Sequence, residues 1–305
     1  MSKNKALSGM DRLTAELLTP AFYEKRFDLG VRMPSLPVLE ELMQRLRAVF
    51  FPGYYSFPQT WGRARKYHLS ANLDSIYRLL AGQIENGYCL EEADEGIAPC
   101  RNREAEAFEL AEKFMQKLPE IRAALESDVR AAYEGDPAAR SPGETIFCYP
   151  SIRAMTNHRI AYQLYLLDVP LVPRIIAEMA HGETGIDIHP GARIGDSFFI
   201  DHGTGVVIGE TCIIGRNCRL YQSVTLGAMS FPKEEDGSLT KGLPRHPILE
   251  DDVVVYSGAT ILGRVTIGRG SMIGGNVWIT KNIAPGSKVV QHESTTPESG
   301  ESLLG

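Results

Sequence analysis

The sequence predicts an α+β chain in several parts, α-helical first and then a parallel β-helix of hexapeptide repeats. Three observations predict it. Between residues 186 and 290, Leu249, Val255, Ile261, Ile267, Ile273 and Ile279 fall six residues apart. A second ladder, Val253, Ala259, Val265, Ser271, Val277 and Ile283, keeps the same step two residues ahead of each rung. Aliphatic residues with small partners at a period of six mark stacked hexapeptide coils. A helix wants apolar residues at offsets of 3, 4 and 7, and a sandwich strand alternates at 2. The third observation lies upstream, where the apolar spacing turns helical.

Taken in order, residues 1–34 are weakly patterned and read as an N-terminal arm. Residues 35–183 read as an α-helical domain. Leu39, Leu42, Leu46 and Val49 make one apolar face, stopped by Pro52-Gly53. Leu73, Ile76, Leu80 and Ile84 make a second, stopped near Gly87, with a loop expected from Glu91 to Arg103. Phe114, Leu118, Ile121, Leu125 and Val129 make a third, on one segment from Arg103 to Gly135. A fourth helix opens at Tyr149-Pro150-Ser151 and runs through Leu167, and a short fifth runs from Leu171 to Ala180. Residues 184–290 form the β-helix. Residues 291–305, rich in Ser, Thr, Pro, Glu and Gly, read as a flexible tail.

The repeat is broken twice. Ile188, Ile194 and Ile200 keep the step, as do Ile208, Ile214, Leu220 and Leu226, but Ile200 to Ile208 is a step of eight. The extra residues lie in Asp201-His202-Gly203-Thr204-Gly205. The second break is a loop at 228–247, with Lys233, Glu234, Glu235 and Asp236, ending in Arg245-His246. Chain that leaves a solenoid projects outward, and loops on a rigid scaffold carry chemistry.

Composition narrows the function classes. A net charge of −6 over 305 residues argues against nucleic acid or an anionic membrane surface as the main partner. No apolar run approaches the length of a membrane span, and the N-terminus lacks the apolar core of a secretory signal. The five cysteines form no CxxC pair, and Cys212 and Cys218 sit on the hexapeptide ladder as small core residues. This pattern predicts a reducing, cytoplasmic setting without a disulfide framework.

Gly185-Ile186-Asp187-Ile188-His189-Pro190, Ile200-Asp201-His202-Gly203-Thr204-Gly205 and Arg245-His246-Pro247, with Asp136-Pro137-Ala138 upstream, closely resemble motifs of the serine O-acetyltransferases. The resemblance is strong over residues 125–290. It implies a left-handed β-helix, assembled as a homotrimer or a dimer of trimers with active sites between neighbouring subunits. It also implies acetyl transfer from acetyl-CoA to the hydroxyl of L-serine in cysteine biosynthesis, with L-cysteine as feedback inhibitor and no metal.

The residue types fit that chemistry. A serine hydroxyl is a poor nucleophile at neutral pH, and a histidine of ordinary pKa about 6.5 is a suitable base. His202, in the eight-residue step, is the candidate, and it matches the family's catalytic histidine. Asp187, fifteen residues earlier, matches the carboxylate that orients it. His189 either lines the site or hydrogen-bonds within its own corner. A zwitterionic substrate calls for both signs of charge. Arg245 is suited to hold the carboxylate in a fork, and Asp136 and Asp201 to take the ammonium group. His246 matches a second site histidine that positions or polarises the substrate. Acetyl-CoA needs small residues along its groove, and Gly227, Ala228, Ser257 and Gly258 supply them, with Arg264 and Lys281 as candidates for its phosphates.

Three departures from the family stand out. Ala228 replaces the second glycine of a common Gly-Gly, the 228–247 loop is longer than usual, and the ending Ser302-Leu303-Leu304-Gly305 lacks the isoleucine that docks into O-acetylserine sulfhydrylase. The last predicts no tight complex with that enzyme. Two rival readings use the same scaffold. A sugar acyltransferase would not need the Asp136, Asp201 and Arg245 set. A zinc enzyme would need His189, His202 and His246 around one ion.

Overall fold

The computed structural model describes residues 2–19, 31–55, 64–96, 101–230, 234, 236–240 and 242–291. Among the described residues eight helices precede fourteen short strands. The helices are α1 (Ser2–Leu17), α2 (Leu36–Phe50), α3 (Ala64–Asp94), α4 (Glu104–Gln116), α5 (Leu118–Gly135), α6 (Pro142–Cys148), α7 (Pro150–Leu166) and α8 (Val172–Thr184).

Several boundaries differ from the sequence reading, each for a physical reason. The arm contains α1. The segment from Arg103 to Gly135 is two helices, because Pro119 has no N–H to continue α4 and instead sits in the first turn of α5. Helix α3 runs through Gly87 to Asp94. That glycine is a packing residue, since a Cβ there would lie 2.7 Å from the Pro170 carbonyl oxygen. Helix α6 went unread. Its cap is Ser141, whose hydroxyl accepts the Glu144 N–H at 3.2 Å. Helix α8 continues past His181-Gly182 and ends at Gly185, which takes the left-handed conformation (φ 69°).

The strands form three parallel sheets. The first is β1 (Asp187–Ile188), β4 (Val207–Ile208), β7 (Thr225–Gly227), β10 (Thr260–Leu262) and β13 (Trp278–Ile279), stacked in that order. The second is β2 (Arg193–Ile194), β5 (Ile213–Ile214), β8 (Ile248–Leu249) and β11 (Thr266–Ile267). The third is β3 (Phe199–Ile200), β6 (Arg219–Leu220), β9 (Val254–Val255), β12 (Met272–Ile273) and β14 (Lys288–Val289). The chain visits the sheets in turn, and each circuit but the last adds one strand to each; in the last, the second sheet gains only the isolated bridge of Ile283 to Ile267. Val207 pairs with Thr225, eighteen residues on, and Thr260 with Trp278, again eighteen on. Asp187 pairs with Val207, twenty on, because that circuit contains the eight-residue step. The hexapeptide rungs point inward and are buried, as are Cys212 and Cys218.

The helices close one end of this stack. Edge strands expose unpaired backbone groups, and here buried side chains satisfy them. Arg159 of α7 donates to the Ile194 and Gly195 carbonyls, each at 2.7 Å, and forks onto Asp128 of α5 at 2.9 and 3.1 Å. Asp128 in turn accepts the Phe198 N–H at 3.0 Å, and Ser127 Oγ accepts the Ser197 N–H at 2.9 Å. The first coil is therefore fixed from above, and it carries Asp187, His189, Asp201 and His202.

Cys89 is disulfide-bonded, which corrects the reading of the cysteines; a bridge needs matching geometry in the fold, not a sequence spacing. Among the described residues no helix is long and apolar enough to cross a membrane. The readings of the tail fall on residues 292–305, outside the described ones.

Candidate active site

The predicted residues gather at two corners of the stack, on either side of the first sheet. The corner between the third and first sheets holds His202. Its backbone is left-handed (φ 59°), followed by Gly203 (φ 91°) and Gly205 (φ 78°). A Cβ on Gly203 would overlap Ile186. The eight-residue step is thus a turn tight enough to need glycine, and it pushes His202 outward, with its side chain 73% exposed. His202 Nε2 lies 3.9 Å from Asp201 Oδ1. Asp136, at the end of α5, faces the same corner and interacts electrostatically with His202. Its carboxylate accepts the Tyr149 hydroxyl and the Ala138 N–H, bonds that hold it below the usual carboxylate range. Two coils further along, Ser257 and Gly258 occupy this corner. Gly258 is left-handed (φ 71°), and a Cβ there would overlap the Asn276 amide.

The corner between the first and second sheets holds the other group. Arg245 Nη2 donates to Glu210 Oε2 at 2.8 Å. His246 is 7% exposed. Its Nδ1 receives the Thr211 N–H at 3.1 Å and the Thr211 hydroxyl at 2.9 Å. That hydroxyl accepts the N–H groups of Arg245 at 2.9 Å and His246 at 3.1 Å. Burial, then Arg245, push the His246 imidazole down to about 4. His189 hydrogen-bonds within its corner, its Nδ1 receiving the Gly191 N–H at 3.0 Å. It also lies edge-on to Tyr165 of α7, with ring centres 6.1 Å apart. Gly227, Ala228 and Lys281 lie at this corner too. Arg264 donates from Nη1 to the Thr211 and His246 carbonyls at 2.6 and 3.0 Å.

Between the left-handed Gly205 and Gly209 the chain runs about four extended steps, roughly 13 Å at 3.3 Å each. Within the chain His202 lies beside Asp201 and Arg245 pairs with Glu210, and His202 and Arg245 form no pair with each other. His202 is likewise apart from His189 and His246, so one chain does not assemble the three-histidine metal site. Asp187 makes no ion pair or hydrogen bond with His202; its carboxylate lies instead within 4.8 Å of ligand atoms of Glu178 and His181.

Glu210, Thr211 and Gly209 were not singled out from the sequence. A signal was present. Ile208-Gly209-Glu210 follows Ile188-His189-Pro190 one coil later at the same corner, so whatever faces His189 is found by adding one coil length.

The family model described as bacterial transferase hexapeptide (six repeats) matches residues 246–281, which defines the class as hexapeptide-repeat transferase. The chain is 50% identical over 283 residues to the plasmid serine acetyltransferase of Synechococcus elongatus, covering 92% of this chain and 86% of that one. It is 45% identical over 166 residues to the serine acetyltransferase of Bacillus licheniformis, covering 54% and 73%. Among solved structures, Entamoeba histolytica serine acetyltransferase 1 in complex with L-cysteine superposes with a TM-score of 0.72 at 39% identity, covering 82% of this chain and 86% of that one. The soybean enzyme complexed with serine gives 0.54 at 27%, covering 85% and 98%. The chain belongs to the serine acetyltransferase family.

Proposed function

We propose that the chain transfers the acetyl group of acetyl-CoA to the hydroxyl of L-serine, giving O-acetyl-L-serine and CoA for cysteine biosynthesis. The observation that carries this reading is His202, pushed out of the repeat beside two carboxylates, one of them held ionised by Tyr149. His202 takes the hydroxyl proton as the serine oxygen attacks the thioester carbonyl. The tetrahedral intermediate then collapses, the C–S bond breaks, and His202 returns the proton to the CoA sulfur. Asp136 and Asp201 take the ammonium group, and Arg245, oriented by Glu210, takes the carboxylate. Asp187 orients the base once it turns from Glu178 and His181. The pantetheine arm follows Gly227, Ala228, Ser257 and Gly258, with Lys281 and the remaining nitrogens of Arg264 near its phosphates.

The placement of the two groups at opposite ends of the first-sheet strands supports a site shared by two chains, His202 from one and Arg245 from its neighbour, in a three-fold trimer alone or paired. The same reading includes a left-handed winding, the division at residues 34, 183 and 290, a cytoplasmic setting and catalysis without a metal. L-cysteine keeps both charged groups of serine and competes for the same set.

The test is release of CoA from acetyl-CoA and L-serine, with sugars and other hydroxy-amino acids as controls. His202→Ala is expected to lower turnover about 10²–10⁴-fold with unchanged circular dichroism. Near-normal turnover in that variant removes His202 from the mechanism.

A further inference from the structure

We infer that His246 acts as a neutral hydrogen-bond donor through Nε2–H to the thioester carbonyl oxygen, and not as a second base. The inference rests on the acetyl-transfer reading above and deepens it.

The argument starts from donors and acceptors. A backbone N–H only donates, and the Thr211 N–H is aimed at His246 Nδ1 at 3.1 Å. Nδ1 therefore presents a lone pair. The Thr211 hydroxyl confirms this independently. Its oxygen already accepts two N–H groups, from Arg245 and His246, so its own proton goes to Nδ1 at 2.9 Å. A neutral imidazole with a lone pair at Nδ1 carries its proton at Nε2. That ring has no lone pair at Nε2 with which to take a proton from serine.

Protonation of the ring is also opposed. Arg245 and Arg264 flank it, His189 faces it, and burial disfavours the cation; Glu210 alone among the facing groups favours it, and Glu210 is paired with Arg245. The ring is fixed in place as well. Gly209 leaves room for it, since a Cβ there would overlap the imidazole, and Arg264 clamps the carbonyls of Thr211 and His246. The serine carboxylate already has Arg245. A fixed, uncharged donor suits an oxygen that is neutral in the ground state and gains charge only in the transition state.

The experiment combines spectroscopy and kinetics. Nitrogen-15 NMR of histidine-labelled protein, with His246 signals assigned by their loss in His246→Gln, is expected to find Nδ1 unprotonated and Nε2 protonated at pH 7. A protonated Nδ1 or an imidazolium at that pH overturns the inference. In kinetics with L-serine and acetyl-CoA, His246→Ala is expected to lower kcat about 10²–10³-fold with the KM for serine little changed. His246→Gln, whose amide offers an N–H in place of Nε2–H, is expected to recover at least a tenth of wild-type kcat and to keep the pH profile set by His202. A rise in the serine KM without loss of kcat, or a glutamine variant no better than alanine, overturns the role. Wild-type protein that releases no CoA would instead defeat the acetyl-transfer reading, while the NMR result would stand by itself.

Discussion

Single side chains settle most of what this site can do, and some act by being absent. Gly209 has no Cβ because the His246 ring occupies that space. Gly209→Ala is expected to displace the ring and lower kcat at least tenfold, comparable to other small displacements of catalytic groups, while circular dichroism stays unchanged. Wild-type turnover in that variant would mean that the ring's position is not set from this side. Buried histidines also set the acid limit of the fold. Burial pushes His158 of α7 down to about 3, and His246 is pushed down to about 4. Both lie below the unfolded value of about 6.5, so the unfolded chain binds more protons in between and stability rises with pH across that window. The melting temperature is expected to fall as pH drops from about 6.5 toward 4, and His158→Phe should shallow the slope; an unchanged slope would contradict the assignment to His158. At this scale the sequence was legible where the repeat broke, as at His202 and Arg245-His246. Glu210 and Thr211 escaped because they sit in a regular six-residue step. Tyr149 escaped because its partner Asp136 lies on the far side of α6, and Tyr165 because a contact from a helix to a distant coil leaves no local period.

Elements were legible in proportion to how local their causes are. The strands follow from the six-residue ladder alone, and the rungs named from it are buried. Helix ends followed less well. The break between α4 and α5 is a proline effect visible in Leu118-Pro119, whereas Gly87 reads as a stop until Pro170 is placed against it. The least legible feature is the cap on the first coil. Asp128 and Arg159 are both buried, thirty-one residues apart, and look like ordinary helix-surface charges in sequence. Asp128→Ala leaves Arg159 buried without its carboxylate and strips the Phe198 N–H of its acceptor. The expected cost is about 3–5 kcal/mol, read from chemical denaturation. A loss under about 1 kcal/mol would show that the helices hold the first coil by apolar packing alone.

For the whole molecule, the arrangement of corners matters more than any one contact. The first sheet separates His202, with Asp136 and Asp201 beside it, from Arg245 and His246. Along its outer face Asp187 is followed by Val207, Thr225, Thr260 and Trp278, which carry no charge, and Val207 and Trp278 are large apolar residues left exposed. A second copy laid against such a face would bring unlike corners together, as the proposed shared site requires. The central claim is therefore that catalysis is shared between neighbouring chains. Subunit complementation tests it most directly. His202→Ala and Arg245→Ala protein are each expected to be nearly inactive. Unfolded together and refolded as mixed oligomers, they regenerate interfaces where intact His202 of one chain meets intact Arg245 of the next. Random mixing in a cyclic assembly predicts recovery of about a quarter of wild-type turnover. Mixed oligomers that form, verified by distinct affinity tags, and yet stay as inactive as either parent would contradict the shared site.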